Sequence, residues 1–252
     1  MSGHSKWSTI KRQKGVADAR RGALFTKLGR EISVAAREGG GDPAANFKLR
    51  LIIDKAKAAN MPKENIERAI KRGTGELKGE AEFEITYEGY GPNGVAVLVK
   101  VLTDNRNRAA AEVRRVFTRH GGSLGETGCV AWMFEPKGYL SVKVNDGQDP
   151  DEIAMAAIDA GADDVVPSDD TVEVYTKVED FQWVREALER RGYELEEQEP
   201  IWMTPKTLMR LGEKETLQAM SLIDALEELE DVSKVFTNLD IPDEVMEKYQ
   251  AA

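Results

Sequence analysis

The chain has one cysteine, two histidines, few aromatic residues and no long apolar run, and each scarcity closes off a class of function. Cys129 alone cannot form an internal disulfide, so nothing calls for an oxidising compartment. His4, His120 and Cys129 lack the close ligand spacing of a zinc site, and no metal is expected. No stretch approaches the roughly 18 apolar residues of a membrane span. The basic N-terminus is followed by no apolar segment of the kind a secretory signal requires. The expectation is a soluble, cytoplasmic protein with no membrane partner. There is no P-loop. Gly89-Tyr90-Gly91-Pro92-Asn93-Gly94 matches a dinucleotide fingerprint by letter, but a proline interrupts it and a strand pattern follows where a helix is needed. It reads as a hairpin turn, and no cofactor is expected. Asp163-Asp164 and Asp169-Asp170 bracket a short predicted strand and read as turn residues. Cys129, in an apolar run, reads as a buried structural thiol, and His120 as a complement to a helix dipole. No catalytic constellation emerges, so the chain is not expected to be an enzyme.

What is present is charge, unevenly divided. The formal net charge is −10, yet residues 1–80 carry 18 Lys+Arg against 9 Asp+Glu, and the remainder carries 17 against 36. Lys6, Lys11, Arg12, Lys14, Arg20 and Arg21 precede or flank a single acid, Asp18. A basic end beside an acidic body is the pattern of a chain that sets one end on a polyanion and keeps the rest away from it.

Periodicity predicts an α+β protein of three domains. A helix over 16–38 repeats Leu24, Leu28 and Ile32, and Gly39-Gly40-Gly41 ends it. Asp42-Pro43 is expected to start a second helix with Phe47, Leu51, Ile52 and Ala56 as its stripe. Asn60-Met61-Pro62 separates a third, closed at Gly73. Residues 1–79 thus form a basic three-helix domain. Strands over 83–88 and 95–102, a helix from Asn105 to His120 and a further strand over 129–134 begin a second domain. Residues 137–203 run strand–helix–strand–strand–helix–strand, the ferredoxin-like βαββαβ order. This acidic domain is expected to be inserted into a discontinuous α/β domain of 80–136 plus 204–252, whose tail supplies a second covering helix over 213–230 and a strand over 232–237.

Two basic constellations are candidates for nucleic-acid binding. In the first, His4, Ser5, Lys6, Trp7, Lys11 and Lys14, followed by Arg20 and Arg21, mix phosphate-neutralising cations with hydroxyl, imidazole and indole groups suited to bases. A solvated charged helix with Trp7 packed on the core is the structural alternative. In the second, Arg108, Arg115 and Arg119 fall at i, i+7 and i+11 on one helix face, with Arg106 and Arg114 nearby; the solvent face of an α/β layer would look the same.

These residues resemble the YebC/PmpR family. The resemblance is carried by Gly3-His4-Ser5-Lys6-Trp7, Ile10-Lys11, Leu24-Phe25-Thr26-Lys27, Asn60-Met61-Pro62-Lys63, Tyr87-Glu88-Gly89-Tyr90-Gly91-Pro92, Thr103-Asp104-Asn105-Arg106-Asn107-Arg108 and Gly121-Gly122. It implies a helical domain followed by two α/β domains and a non-enzymatic role in gene expression. Bacterial members are described as DNA-binding transcriptional regulators. Others, including mitochondrial translational activators, resemble ribosome-associated factors that ease difficult stretches such as consecutive prolines. No helix-turn-helix with the charge of a major-groove reader is visible. The partner is therefore DNA or ribosomal RNA, with ribosome association as the second reading. A protein–protein adaptor using the acidic domains is the third, and the pattern is compatible with a monomer.

Overall fold

The computed structural model describes residues 18–78, 82–242, 244–246 and 248. The fold is α+β, with three N-terminal helices, a discontinuous α/β part and an inserted ferredoxin-like part. The chain divides into two compact units, residues 134–204 and the remainder.

Helices α1 (Asp18–Gly39), α2 (Phe47–Ala58) and α3 (Lys63–Gly73) open the larger unit. Leu28, Ile32, Leu49, Ile53, Ala56, Met61, Ile66 and Ala69 close a small core among them. The second helix starts four residues later than Asp42-Pro43 suggests. Asp42 instead closes a turn, its carbonyl accepting from the N–H groups of Ala45 and Asn46. Asn46 is the cap: its Oδ1 accepts from Leu49 N at 3.1 Å, and its Nδ2 donates to the carbonyls of Ala35 and Gly40, each at 2.8 Å. This buried amide locks the α1–α2 corner and rotates the buried stripe onto Leu49, Ile53 and Ala56.

Strands β1 (Phe83–Tyr90) and β2 (Ala96–Thr103) form an antiparallel hairpin in register from Phe83↔Thr103 to Tyr90↔Ala96. The glycine-rich segment is its turn, with Gly91 N donating to Val95 O at 2.7 Å and Asn93 at φ 60°. Helix α4 (Arg106–Arg119) and strand β3 (Ser123–Leu124) follow, β3 adding to the free edge of β1. After the insertion come β8 (Met209–Arg210), α7 (Glu213–Glu227), β9 (Val232–Thr237) and β10 (Leu239–Asp240). The sheet order is β3-β1-β2-β9, and β8 and β10 form a separate parallel pair.

β2 is buried on both faces, which is why it reads as an unbroken apolar run. Val95, Val97, Val99 and Val101 meet Val113 and Phe117 of α4 and Met220, Leu222, Ile223 and Leu226 of α7. Each such side chain contributes about 1.5–3 kcal/mol on burial. α1 packs against β2 and β9.

The segment 129–134 is not a strand up to Met133, contrary to the sequence expectation. It is a loop ending in a single 3-10 turn, Ala131–Met133. The cause is Glu88, forty residues upstream. Its buried carboxylate accepts from the N–H groups of Gly128 at 2.6 Å, Val130 at 2.9 Å and Ala131 at 2.7 Å, bending the backbone around itself. Cys129 therefore lies partly buried in this loop, its thiol pushed up by burial and by Glu88. His120 caps α4, but burial and Arg119 push its imidazole toward the neutral form, so it adds little charge to the helix end.

In the smaller unit, β4 (Phe134–Lys143), α5 (Pro150–Asp159), β5 (Asp164–Pro167), β6 (Thr171–Thr176), α6 (Phe181–Arg190) and β7 (Leu195–Pro205) form a sheet of order β5-β6-β4-β7. This is the ferredoxin-like arrangement. Tyr139 stacks on Trp202 with centroids 5.0 Å apart. Asp163 pairs with Lys137 at 2.8 Å.

Candidate nucleic-acid interface

His4, Ser5, Lys6, Trp7, Lys11 and Lys14 lie outside the described residues. Arg20 and Arg21 fall within the first turns of α1, which places them on the helix that leads from the basic end into the core. Further along α1 the cations turn inward. Lys27 Nζ donates to Glu227 O at 2.5 Å. Arg30 reaches Asp231 Oδ1 at 2.5 Å and Glu230 Oε1 at 3.1 Å. Arg37 donates to the Glu82 carbonyl. These three anchor α1 to the α/β part.

The second constellation divides in the same way. The run Thr103 to Arg108 folds into a tight knot. Thr103 Oγ1 accepts from Asn105 N at 3.0 Å and donates to Asp231 Oδ2 at 2.7 Å. Asn105 Oδ1 caps α4 by accepting from Arg108 N at 3.0 Å. Arg106 lies 4.1 Å above the Phe83 ring, a cation–π contact. Arg108 bonds Asp104 at 2.8 Å and Asp231 at 2.9 Å. Two carboxylates thus hold the Arg108 guanidinium, raising its pKa further, and its first task is to tie α4 to residue 231.

Arg115 and Arg119 remain exposed on the outer face of α4, and among the described residues neither makes an ion pair. Arg114 is exposed as well, and its charge reaches the Tyr87 phenol. Sequence spacing overlooked Glu112, which lies on the same face between Arg108 and Arg115. With Arg30, Arg108 and Arg115, an open cleft of about 410 Å³ is lined by Asp104, Glu112, Glu228, Glu230 and Asp231. Five carboxylates against three guanidiniums make it a poor phosphate pocket; an anion would meet Arg115 and Arg119 from outside it. Arg68 and Lys71 on α3 are further exposed cations that no described carboxylate takes up. Spacing suggested Glu67 as the partner of Lys71, but Glu67 pairs with Lys63 at 3.6 Å instead.

A basic helical part, joined to an α/β sheet that carries a ferredoxin-like insertion, defines the class of architecture, and among the described residues no helix is long and apolar enough to cross a bilayer. The particular family follows from comparison. Residues 5–76 match the TACO1/YebC protein N-terminal domain, and residues 83–239 match the TACO1/YebC second and third domain. The chain belongs to the TACO1/YebC family. A relative from Syntrophobacter fumaroxidans is 56% identical, over 98% of this chain and 99% of its own. One from Dictyoglomus turgidum is 51% identical over the same shares. Both carry the name "Probable transcriptional regulatory protein". The crystal structure of a conserved hypothetical protein from Aquifex aeolicus is similar at a TM-score of 0.84 and 48% identity, covering 90% of this chain and 93% of that one.

Proposed function

We propose that the chain is a non-enzymatic, cytoplasmic regulator of gene expression that holds nucleic acid through its basic end. The observation that carries this reading is the partition of charge. Residues 1–80 carry twice as many cations as acids, while the compact unit 134–204 carries 19 Asp+Glu against 6 Lys+Arg. In this reading Lys6, Lys11, Lys14, Arg20 and Arg21 neutralise phosphates, and His4, Ser5 and Trp7 are available for bases. Arg106, Arg115 and Arg119 add a secondary contact, with Arg108 supporting them from within the fold. The names of the relatives agree with a regulator of transcription. In this reading the basic end holds the polymer and the acidic unit 134–204 stays off it.

A second reading, a ribosome-associated factor on ribosomal RNA, is favoured by that same acidic unit. Its charge repels flanking duplex, whereas folded RNA can admit one basic end alone. Ultraviolet crosslinking of the tagged protein in cells, followed by sequencing of attached RNA and DNA, separates the two. Promoter DNA supports the transcriptional reading and ribosomal RNA the translational one. Neither, in a functional tagged strain, removes nucleic acid as the partner and leaves the adaptor reading. In vitro, exchanging Lys11 and Lys14 for Glu weakens binding and flattens its salt dependence; unchanged affinity removes the basic end from the interface.

A further inference from the structure

Trp132 is 66% exposed, the most exposed large apolar side chain among the described residues, yet its backbone is held from inside. It occupies the turn Ala131–Met133, whose approach is fixed by the three N–H bonds into Glu88. Those bonds hold the Glu88 carboxyl below its ordinary range in spite of burial, so the cage stays charged at neutral pH. The indole Nε1 donates to Cys129 O at 3.1 Å, and the Tyr90 hydroxyl donates to the same carbonyl at 3.0 Å. One carbonyl therefore takes up the donor of both rings. What Trp132 offers outward is a π-face and no hydrogen bond. Lys206 Nζ donates to Trp132 O at 2.8 Å, which brings an ammonium to the same place with two further donors to spare.

An aromatic face on a preorganised turn, with a cation attached to its own backbone, fits the two repeating parts of a single strand: a base to stack and a phosphate to neutralise. An apolar protein partner would explain the ring but not the ammonium. We propose that Trp132, with Tyr90 held to the same carbonyl, is a stacking platform for an unpaired nucleobase, and that Lys206 takes up the adjoining phosphate. The proposal rests on the nucleic-acid reading above and adds a contact on the α/β part, away from the basic end in sequence. Because the indole N–H is already used, the platform accepts any base.

The test is fluorescence anisotropy of the full chain with three labelled probes: a mixed-sequence single-stranded RNA, the DNA strand of the same sequence, and an RNA duplex. Trp132→Ala is expected to weaken both single strands about tenfold and leave the duplex unchanged, while Trp132→Phe keeps most of the affinity. An unchanged urea midpoint shows that the variant is folded. If the wild type binds single strands and Trp132→Ala binds them as tightly, the platform is wrong and the wider reading stands. Equal weakening on duplex and single strands also overturns it. If the wild type binds none of the probes, nucleic-acid binding itself falls.

Discussion

Arg30 Nη1 and Asp231 Oδ1 lie 2.5 Å apart, joining the first described helix to the residue that immediately precedes β9. Asp231 is buried and also receives Thr103 and Arg108 on its other oxygen. One carboxylate thus collects α1, the end of β2 and α4. Burial alone would raise its pKa, but the bonds from Thr103 and Arg108, with the charge of Arg30, hold it below the ordinary carboxylate range.

Replacing Asp231 with Ala should destabilise the protein by about 2 kcal/mol or more, because Arg30 is largely buried and is left without its strongest partner. The folded-state pKa is lowered, so the contribution of Asp231 is complete above about pH 4 and is lost as the pH falls through its lowered value. Urea midpoints of wild type and Asp231→Asn should therefore differ at pH 7 and converge in acid.

Arg108 and Arg115 separate stability from binding. Arg108→Ala removes a charged bond to Asp231 and should lower the urea midpoint, discounted by its partial exposure. Exchanging Arg115 and Arg119 for Ala should leave the midpoint within about 0.5 kcal/mol. The same double variant should weaken nucleic-acid binding and reduce its salt slope by about one for each phosphate that is no longer neutralised. A salt titration of both variants checks the contrast.

Glu88→Gln replaces a three-bond acceptor with a group that presents one oxygen and an NH₂ against amide N–H groups. A loss of about 2–3 kcal/mol is expected. Amide hydrogen exchange should accelerate at Gly128, Val130 and Ala131 before it does so elsewhere. As the carboxyl's folded pKa is lowered, wild type should approach the variant only below the ordinary carboxylate range.

Asn46→Ala removes a helix cap and two buried donors that hold the α1–α2 corner. The expected cost is about 1–2 kcal/mol, read from thermal or urea unfolding.

Local signals in the sequence carried much of this architecture. The apolar run of β2, the Asn105 cap and the glycine punctuation each act within a few residues, and the α+β class with its ferredoxin-like order follows from them. Features decided over distance were illegible. Asn46 outcompeted Asp42-Pro43 as a cap because Ala35 and Gly40 supply carbonyls that only the folded corner brings near. Cys129 to Met133 has the composition of a strand, and only Glu88, on another element, turns it into a loop. Arg108 and Arg115 share a helix face, but Asp231, far along the chain, binds the first and leaves the second exposed.

The pairing of β2 with β9, Val99 opposite Val235, has a consequence for the order of synthesis. The strand that completes the central sheet is made only after the whole acidic insertion has been translated. Until then β2 has one bare edge, and α4 lacks the apolar company of α7. The insertion, whose strands all lie within 134–205, can fold as soon as it emerges. The sheet around it must wait for a pairing of high sequence separation, which is slow to close. During that interval an unpaired valine-rich edge faces the cell, so the sheet is the part of this molecule most exposed to misassembly while it is being made.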